Sequence, residues 1–129
     1  MTKTRQDPHI NRPTSPHITI YRKQISSVLS IFHRLTGVML FFAIAISTWW
    51  FILWVFSKFD PYYIQLIRCN LLKVALFFIS LAGFYHLCTG IRHLIWDTGK
   101  CFSINSINVT GWLAVICAFF FTLIFWWSL

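Results

Sequence analysis

The chain carries little charge for its length. Of its 129 residues, 11% are charged and 57% are hydrophobic. Ordinary globular domains carry about a quarter charged residues, so this chain has too little polar surface to coat a soluble fold of its size. The composition therefore excludes a soluble domain and predicts a membrane protein that folds as one compact bundle.

The spacing of the cysteines excludes metal sites and clusters built on closely spaced cysteine pairs. The four cysteines lie at positions 69, 88, 101 and 117, and no C-x-x-C pair occurs. Neither a zinc site nor an iron–sulfur cluster is therefore expected from this chain alone.

Charge is almost absent from three long apolar runs. Residues 38–56 and 109–127 contain no charged residue, and residues 74–91 contain one group that ionises near neutral pH, His86. Each run approaches the roughly 20 residues that cross the hydrocarbon core as a helix, and none shows the alternation of a barrel strand. The sequence predicts an all-α membrane protein with a three-helix anchor domain, residues 27–129, whose spans are about 27–56, 71–95 and 109–128.

Residues 1–26 are polar and contain three prolines, which predicts an extended segment ahead of the helices. This segment resembles neither a signal peptide nor a transit peptide. We therefore expect the inner (cytoplasmic) membrane of a bacterium, or the mitochondrial inner membrane with the protein encoded in the organelle.

Lysine and arginine predict the orientation. Eight of these cations lie before or early in the first helix or at the end of the second, and three lie in the opposite loop. The positive-inside rule then places the N-terminus on the cytoplasmic or matrix side. The cations follow helix ends rather than a basic domain, so we expect contact with anionic lipid or a partner protein and none with nucleic acid.

A histidine lies deep in the second run. An ionisable side chain at this depth is costly, so His86 indicates a functional site. His93 follows on the same helical face, together with Gly83 and Gly90. Nitrogen ligands beside small residues suit a flat macrocycle such as haem, with His86 as an axial ligand. The alternatives are a core histidine or a residue on a proton path for His86, and a simple interfacial histidine for His93.

The first helix offers a second group of polar residues, Ser30, His33 and Arg34, with Gly37 one turn further on. A hydroxyl and a guanidinium on one face can donate hydrogen bonds to a quinone carbonyl, and positive charge favours the reduced anion. Arg34 or His33 can equally hold a haem propionate. Arg34 can also be a plain anchor that extends to the lipid headgroups.

Only one histidine is expected at the depth of a haem iron. His33 is predicted near the membrane surface, and the third run contains no histidine. A low-spin haem has two axial ligands. If His86 ligates haem, either a partner membrane subunit supplies the second ligand or one iron position stays open.

Three segments together resemble a known family. They are residues 12–21, RPTSPHITIY; residues 30–37, SIFHRLTG; and residues 85–97, YHLCTGIRHLIWD. In this order and with three spans, they resemble the cytochrome b membrane-anchor subunits of succinate dehydrogenase, respiratory complex II. The resemblance covers residues 12–100.

The resemblance implies roles for four residues around haem b. His86 matches the axial ligand of the haem iron, and a companion anchor subunit supplies the opposite ligand. His33, Arg34 and His93 match positions on the propionate side of the haem.

The resemblance also implies a ubiquinone site. Ser30 and Arg34 match residues of its wall, Ile18 matches a further apolar position, and Lys23 stands where relatives often carry an aromatic residue. An iron–sulfur subunit, reduced in turn by a flavoprotein subunit, would deliver the electrons. We expect this chain to be a non-catalytic anchor. The alternatives are the anchor of a quinol:fumarate reductase or a cofactor-free structural subunit.

Overall fold

A computed structural model of the protein describes residues 24–56, 65 and 69–129. This part of the chain contains three α-helices and no β-strand: α1, Ile25–Phe56; α2, Asn70–Asp97; and α3, Ile104–Trp127. All three are long and apolar enough to cross a membrane, which confirms the predicted all-α architecture with three spans. Most of the predicted extended segment, residues 1–26, lies outside the described residues, and α1 has already begun at Ile25.

The third helix begins five residues before the predicted position 109, because a polar cap precedes its apolar part. Ser103 is the N-cap residue, and its hydroxyl oxygen accepts a hydrogen bond from the backbone N–H of Ser106 at 3.3 Å. Such a cap satisfies one of the free N–H groups of the first turn. The apolar run alone therefore underestimates the length of this helix.

Small side chains fill the contacts between the helices. With the exceptions of Leu29 and Arg92, the buried residues are small: Ala82, Thr89, Gly111, Ala114, Ala118 and Thr122. In a membrane, small residues allow helix backbones to approach closely. At Gly111 a Cβ atom would lie 2.9 Å from Cδ1 of Leu29, so a side chain there would have to displace the end of Leu29 where α1 meets α3.

The outer surfaces of the bundle are apolar. On α1, Phe41, Ile46 and Trp49 are about two-thirds exposed, at 68%, 68% and 67%. These faces suit contact with lipid or with the helices of other subunits, as the predicted heteromeric bundle requires.

Hydrogen bonds connect the helices at both ends of the bundle. The phenolic hydroxyl of Tyr85 donates to the carbonyl of Leu29 at 3.1 Å, which joins α2 to the beginning of α1. At the other end, the indole N–H of Trp126 donates to the hydroxyl of Ser80 at 2.8 Å. The start of α1, the end of α2 and the start of α3 are thus neighbours, and the candidate site lies among them.

Candidate functional site

Three imidazole rings form a cluster between α1 and α2. The rings of His33 and His86 are stacked, with centroids 3.9 Å apart and planes 9° from parallel. The ring of His93 lies 5.2 Å from that of His33 and is tilted by 58°. All three residues are half-buried. The structure thus brings His33 into contact with both histidines that the sequence places on one face of α2.

The two helices contribute the same sequence pattern, His-x-x-Thr-Gly, at residues 33–37 and 86–90. Each histidine meets the threonine of the other helix. Nδ1 of His33 lies 2.7 Å from the hydroxyl of Thr89, and Nδ1 of His86 lies 3.2 Å from the hydroxyl of Thr36. The two threonines were not among the predicted site residues, although the repeated pattern was a signal that could have identified them.

The protonation of His86 follows from its neighbours. Its Nδ1 lies 3.1 Å from the backbone carbonyl oxygen of His33, which can only accept a hydrogen bond. The hydroxyl of Thr36 donates its own hydrogen to the carbonyl of Phe32 or His33, both at 2.9 Å, so its oxygen also accepts from His86. Nδ1 of His86 is therefore the donor in these hydrogen bonds, and in a neutral ring Nε2 would carry the lone pair.

Glycines bring α1 and α2 together at this cluster. A Cβ atom at Gly37 would lie 3.1 Å from Cε1 of His86. Gly83 and Gly90, expected to leave space beside the histidines, instead face side chains of α1: a Cβ atom would meet Leu40 at 3.8 Å and His33 at 3.9 Å. The small residues of α2 therefore accommodate the neighbouring helix of the same chain, as is usual between membrane helices.

The residues predicted for quinone binding lie outside this cluster. Arg34 is exposed on α1 and makes no ion pair with any residue that the structure describes. Ser30 is half-buried one turn earlier. Ile18 and Lys23 lie outside the described residues.

The structure identifies Arg92 as a buried cation. In the sequence it is only one of the cations that predict the orientation, yet in the structure it is 5% exposed. Its Nε donates to the hydroxyl of Thr110 at 3.1 Å, and its Nη2 donates to the carbonyl of Ile107 at 2.9 Å. Its Cζ lies 3.9 Å from the ring centroid of Trp96. Arg92 thus fixes the end of α2 to the first turns of α3.

The family of the chain follows from sequence comparison. The model of the family described as "Succinate dehydrogenase/Fumarate reductase transmembrane subunit" matches residues 8–125. The chain belongs to this family. As a member of the succinate dehydrogenase/fumarate reductase transmembrane subunits, it is a multi-pass inner-membrane anchor of an oxidoreductase complex and not an enzyme on its own, as the resemblance implied.

Relatives of this family are similar along nearly their whole length. The "Succinate dehydrogenase cytochrome b556 subunit" of Rickettsia bellii is 58% identical over 127 residues, which are 98% of this chain and 99% of that protein. The "Succinate dehydrogenase cytochrome b560 subunit" of Reclinomonas americana is 42% identical over 92% of this chain and 86% of its own length. The b560 subunit of Marchantia polymorpha is 35% identical over 89% and 88%.

Proposed function

We propose that this anchor subunit supplies one axial imidazole to haem b and one wall of the ubiquinone site in a succinate dehydrogenase complex. The observation that carries the haem assignment is the pair of hydrogen-bond partners at Nδ1 of His86. The carbonyl of His33 and the hydroxyl of Thr36 accept from Nδ1, which would leave the lone pair of Nε2 for a metal. A ligating histidine usually donates its second N–H in this way, which fixes the ring and raises its basicity.

The surrounding residues fit haem b in chemistry. A bound haem b would accept and release one electron at its iron. His86 would hold the iron, and the imidazoles of His33 and His93 would donate hydrogen bonds to the propionates, together with the guanidinium of Arg34. The name cytochrome b in the relatives supports this assignment.

The second axial ligand is proposed to come from a companion anchor subunit. His33 cannot oppose His86 in the observed arrangement, because the two rings stack face to face at 3.9 Å and leave no space for a macrocycle between them. The α3 helix contains no histidine. The iron–sulfur subunit and, through it, the flavoprotein subunit complete the proposed set of partners.

Ubiquinone is the proposed substrate at the same end of the bundle. The exposed guanidinium of Arg34 has no carboxylate partner among the residues that the structure describes, so its N–H groups are available to a quinone carbonyl. Its charge would favour the reduced anion, and the hydroxyl of Ser30 would add a second donor. We place Ile18 at the apolar wall, by resemblance alone.

The direction of electron flow is proposed from succinate to ubiquinone. The family includes subunits of fumarate reductases as well. The relatives from Rickettsia bellii, Reclinomonas americana and Marchantia polymorpha are all named for succinate dehydrogenase, which favours that direction.

The haem assignment is tested by optical spectra of the complete complex in membranes. His86→Ala should abolish the reduced-minus-oxidised b-type signal, whereas Cys88→Ala, two residues away beside the groove between α2 and α3, should retain it. Full haem content in His86→Ala would disprove the ligand assignment. A wild-type complex without a b-type signal would favour the cofactor-free structural alternative.

A further inference from the structure

Arg92 is a cation held inside the bundle. It is 5% exposed, and no carboxylate pairs with it among the described residues. Burying a charge is costly unless hydrogen bonds compensate for the lost water. The two hydrogen bonds to Thr110 and Ile107 use only part of its five N–H donors, but they fix the plane of the guanidinium.

The side chain of Trp96 lies between the guanidinium of Arg92 and the histidine cluster. Cζ of Arg92 lies 3.9 Å from the ring centroid of Trp96. The ring of Trp96 in turn meets that of His93 edge to face, at 5.3 Å and 85°. His93 then contacts His33 at 5.2 Å. A continuous series of contacts therefore connects the first turns of α3 to the imidazoles between α1 and α2.

No hydrogen bond within the described part of the chain fixes the orientation of Trp96, because its buried indole Nε1 has no partner there. The ring contacts of Trp96 are with the guanidinium of Arg92, the ring of His93 and the ring of Phe102, 6.4 Å away. Of these, only Arg92 is itself held by hydrogen bonds to another helix.

We propose that Arg92 is a positioning residue: anchored on α3, it holds Trp96, which fixes the ring of His93 against His33 on the propionate side of the haem site. The proposal rests on the proposed function, because it requires His93 to face the haem propionates. Arg92 itself contacts neither haem nor quinone in this account. Lysine cannot replace it, because an ammonium lacks the planar fork that binds two acceptors and stacks on a ring.

The experiment measures the midpoint potential and the EPR spectrum of oxidised haem b in the complete complex. The variants are Arg92→Gln, Arg92→Lys and Trp96→Leu. Each should lower the midpoint potential and broaden the EPR signal, because a poorly held His93 neutralises the propionates less well. Trp96→Phe keeps an aromatic ring and should restore most of the wild-type signal. Trp126→Phe is the control, since it weakens the contact of α2 with α3 at the far end of the bundle.

The outcomes separate positioning from simple charge. A wild-type potential in Arg92→Lys beside a lowered one in Arg92→Gln would show that charge alone matters and would overturn the proposal, as would a wild-type signal in Trp96→Leu. The double variant Arg92→Gln/Trp96→Leu should shift the potential no further than the larger single shift, because both act along one series of contacts.

Two further results keep the test decisive. If Arg92→Gln fails to assemble, Trp96→Leu carries the test, because it leaves the hydrogen bonds of Arg92 to α3 in place. If the wild-type complex shows no b-type haem, the proposed function fails. If the wild type binds haem and the variants match it, only the role of Arg92 fails.

Discussion

Replacing Thr36 by valine tests the hydrogen bonding of His86 without changing the shape of the side chain. The hydroxyl oxygen of Thr36 lies 3.2 Å from Nδ1 of His86 and accepts a hydrogen bond from it. Valine is isosteric and removes this acceptor, together with the hydrogen bond that the hydroxyl donates to the carbonyl of Phe32 or His33. The carbonyl of His33, 3.1 Å from the same nitrogen, remains and preserves the tautomer. The variant should therefore retain its haem.

The expected effect is a small rise in the midpoint potential of haem b. An acceptor on Nδ1–H makes the imidazole more basic and favours ferric iron, so its loss favours ferrous iron. Hydrogen bonds between membrane helices contribute about 0.6 kcal/mol on average and about 1.7 kcal/mol at most. Because about 1.4 kcal/mol corresponds to about 59 mV for a one-electron couple, the rise should be roughly 25 mV and should not exceed roughly 75 mV.

A potentiometric titration followed at the haem absorption band measures this shift. Thr36→Ser keeps the hydroxyl and should match the wild type. Thr48→Val is the matched control, because the hydroxyl of Thr48 bonds only to the carbonyl of Ile44 on the same helix, at 2.8 Å. An unchanged potential in Thr36→Val, a fall in potential, or an equal rise in Thr48→Val would refute the assignment of this hydrogen bond to the haem ligand.

Two further predictions concern the quinone site and the packing. Arg34→Ala should depress succinate:ubiquinone reductase activity while succinate oxidation by a soluble dye persists. Lys73 is an exposed cation at the opposite end of α2, and Lys73→Ala should affect neither activity. Unchanged quinone reduction in Arg34→Ala would show that Arg34 is not part of the quinone site. Gly111→Ala should destabilise the bundle by about 1 kcal/mol, the lower end of overpacking effects, because its Cβ atom would lie 2.9 Å from Cδ1 of the buried Leu29 and would require that side chain to shift, whereas Gly83→Ala, with 3.8 Å to Leu40, should be tolerated in thermal unfolding of the complex. Equal melting temperatures for the two variants would contradict the close approach of α1 and α3.

Much of the architecture could be predicted because the bilayer restricts the possibilities. A charge-free run of sufficient length in lipid must be a helix, so the apolar runs identified all three spans. The ends were predicted less well, because capping depends on polar residues that a count of apolar residues omits. Ser103 caps α3, which begins at Ile104, five residues before the predicted start at 109.

The rotation of each helix could not be predicted in the same way. A membrane helix is apolar on nearly every side, so its sequence gives little indication of which face meets its neighbours. Arg34 and Arg92 are both cations near helix ends at the same side of the bundle, yet the structure exposes the first and buries the second. The position of His86 in an apolar run indicated a functional site, because an ionisable residue there is costly in lipid. The sequence could not show its contact with Thr36, which depends on how α1 and α2 cross.

The two copies of His-x-x-Thr-Gly hold their histidines in similar but not identical ways. The hydroxyl of Thr89 donates to the carbonyls of Tyr85 and His86, at 2.7 and 3.2 Å, so its oxygen accepts from Nδ1 of His33, as that of Thr36 accepts from His86. His86 has a second acceptor at Nδ1, the carbonyl of His33. Two acceptors orient the ring of His86 more firmly than the one hydroxyl orients the ring of His33. This difference supports the proposal that His86, rather than His33, holds the iron, because a ligating ring is usually fixed through its second N–H.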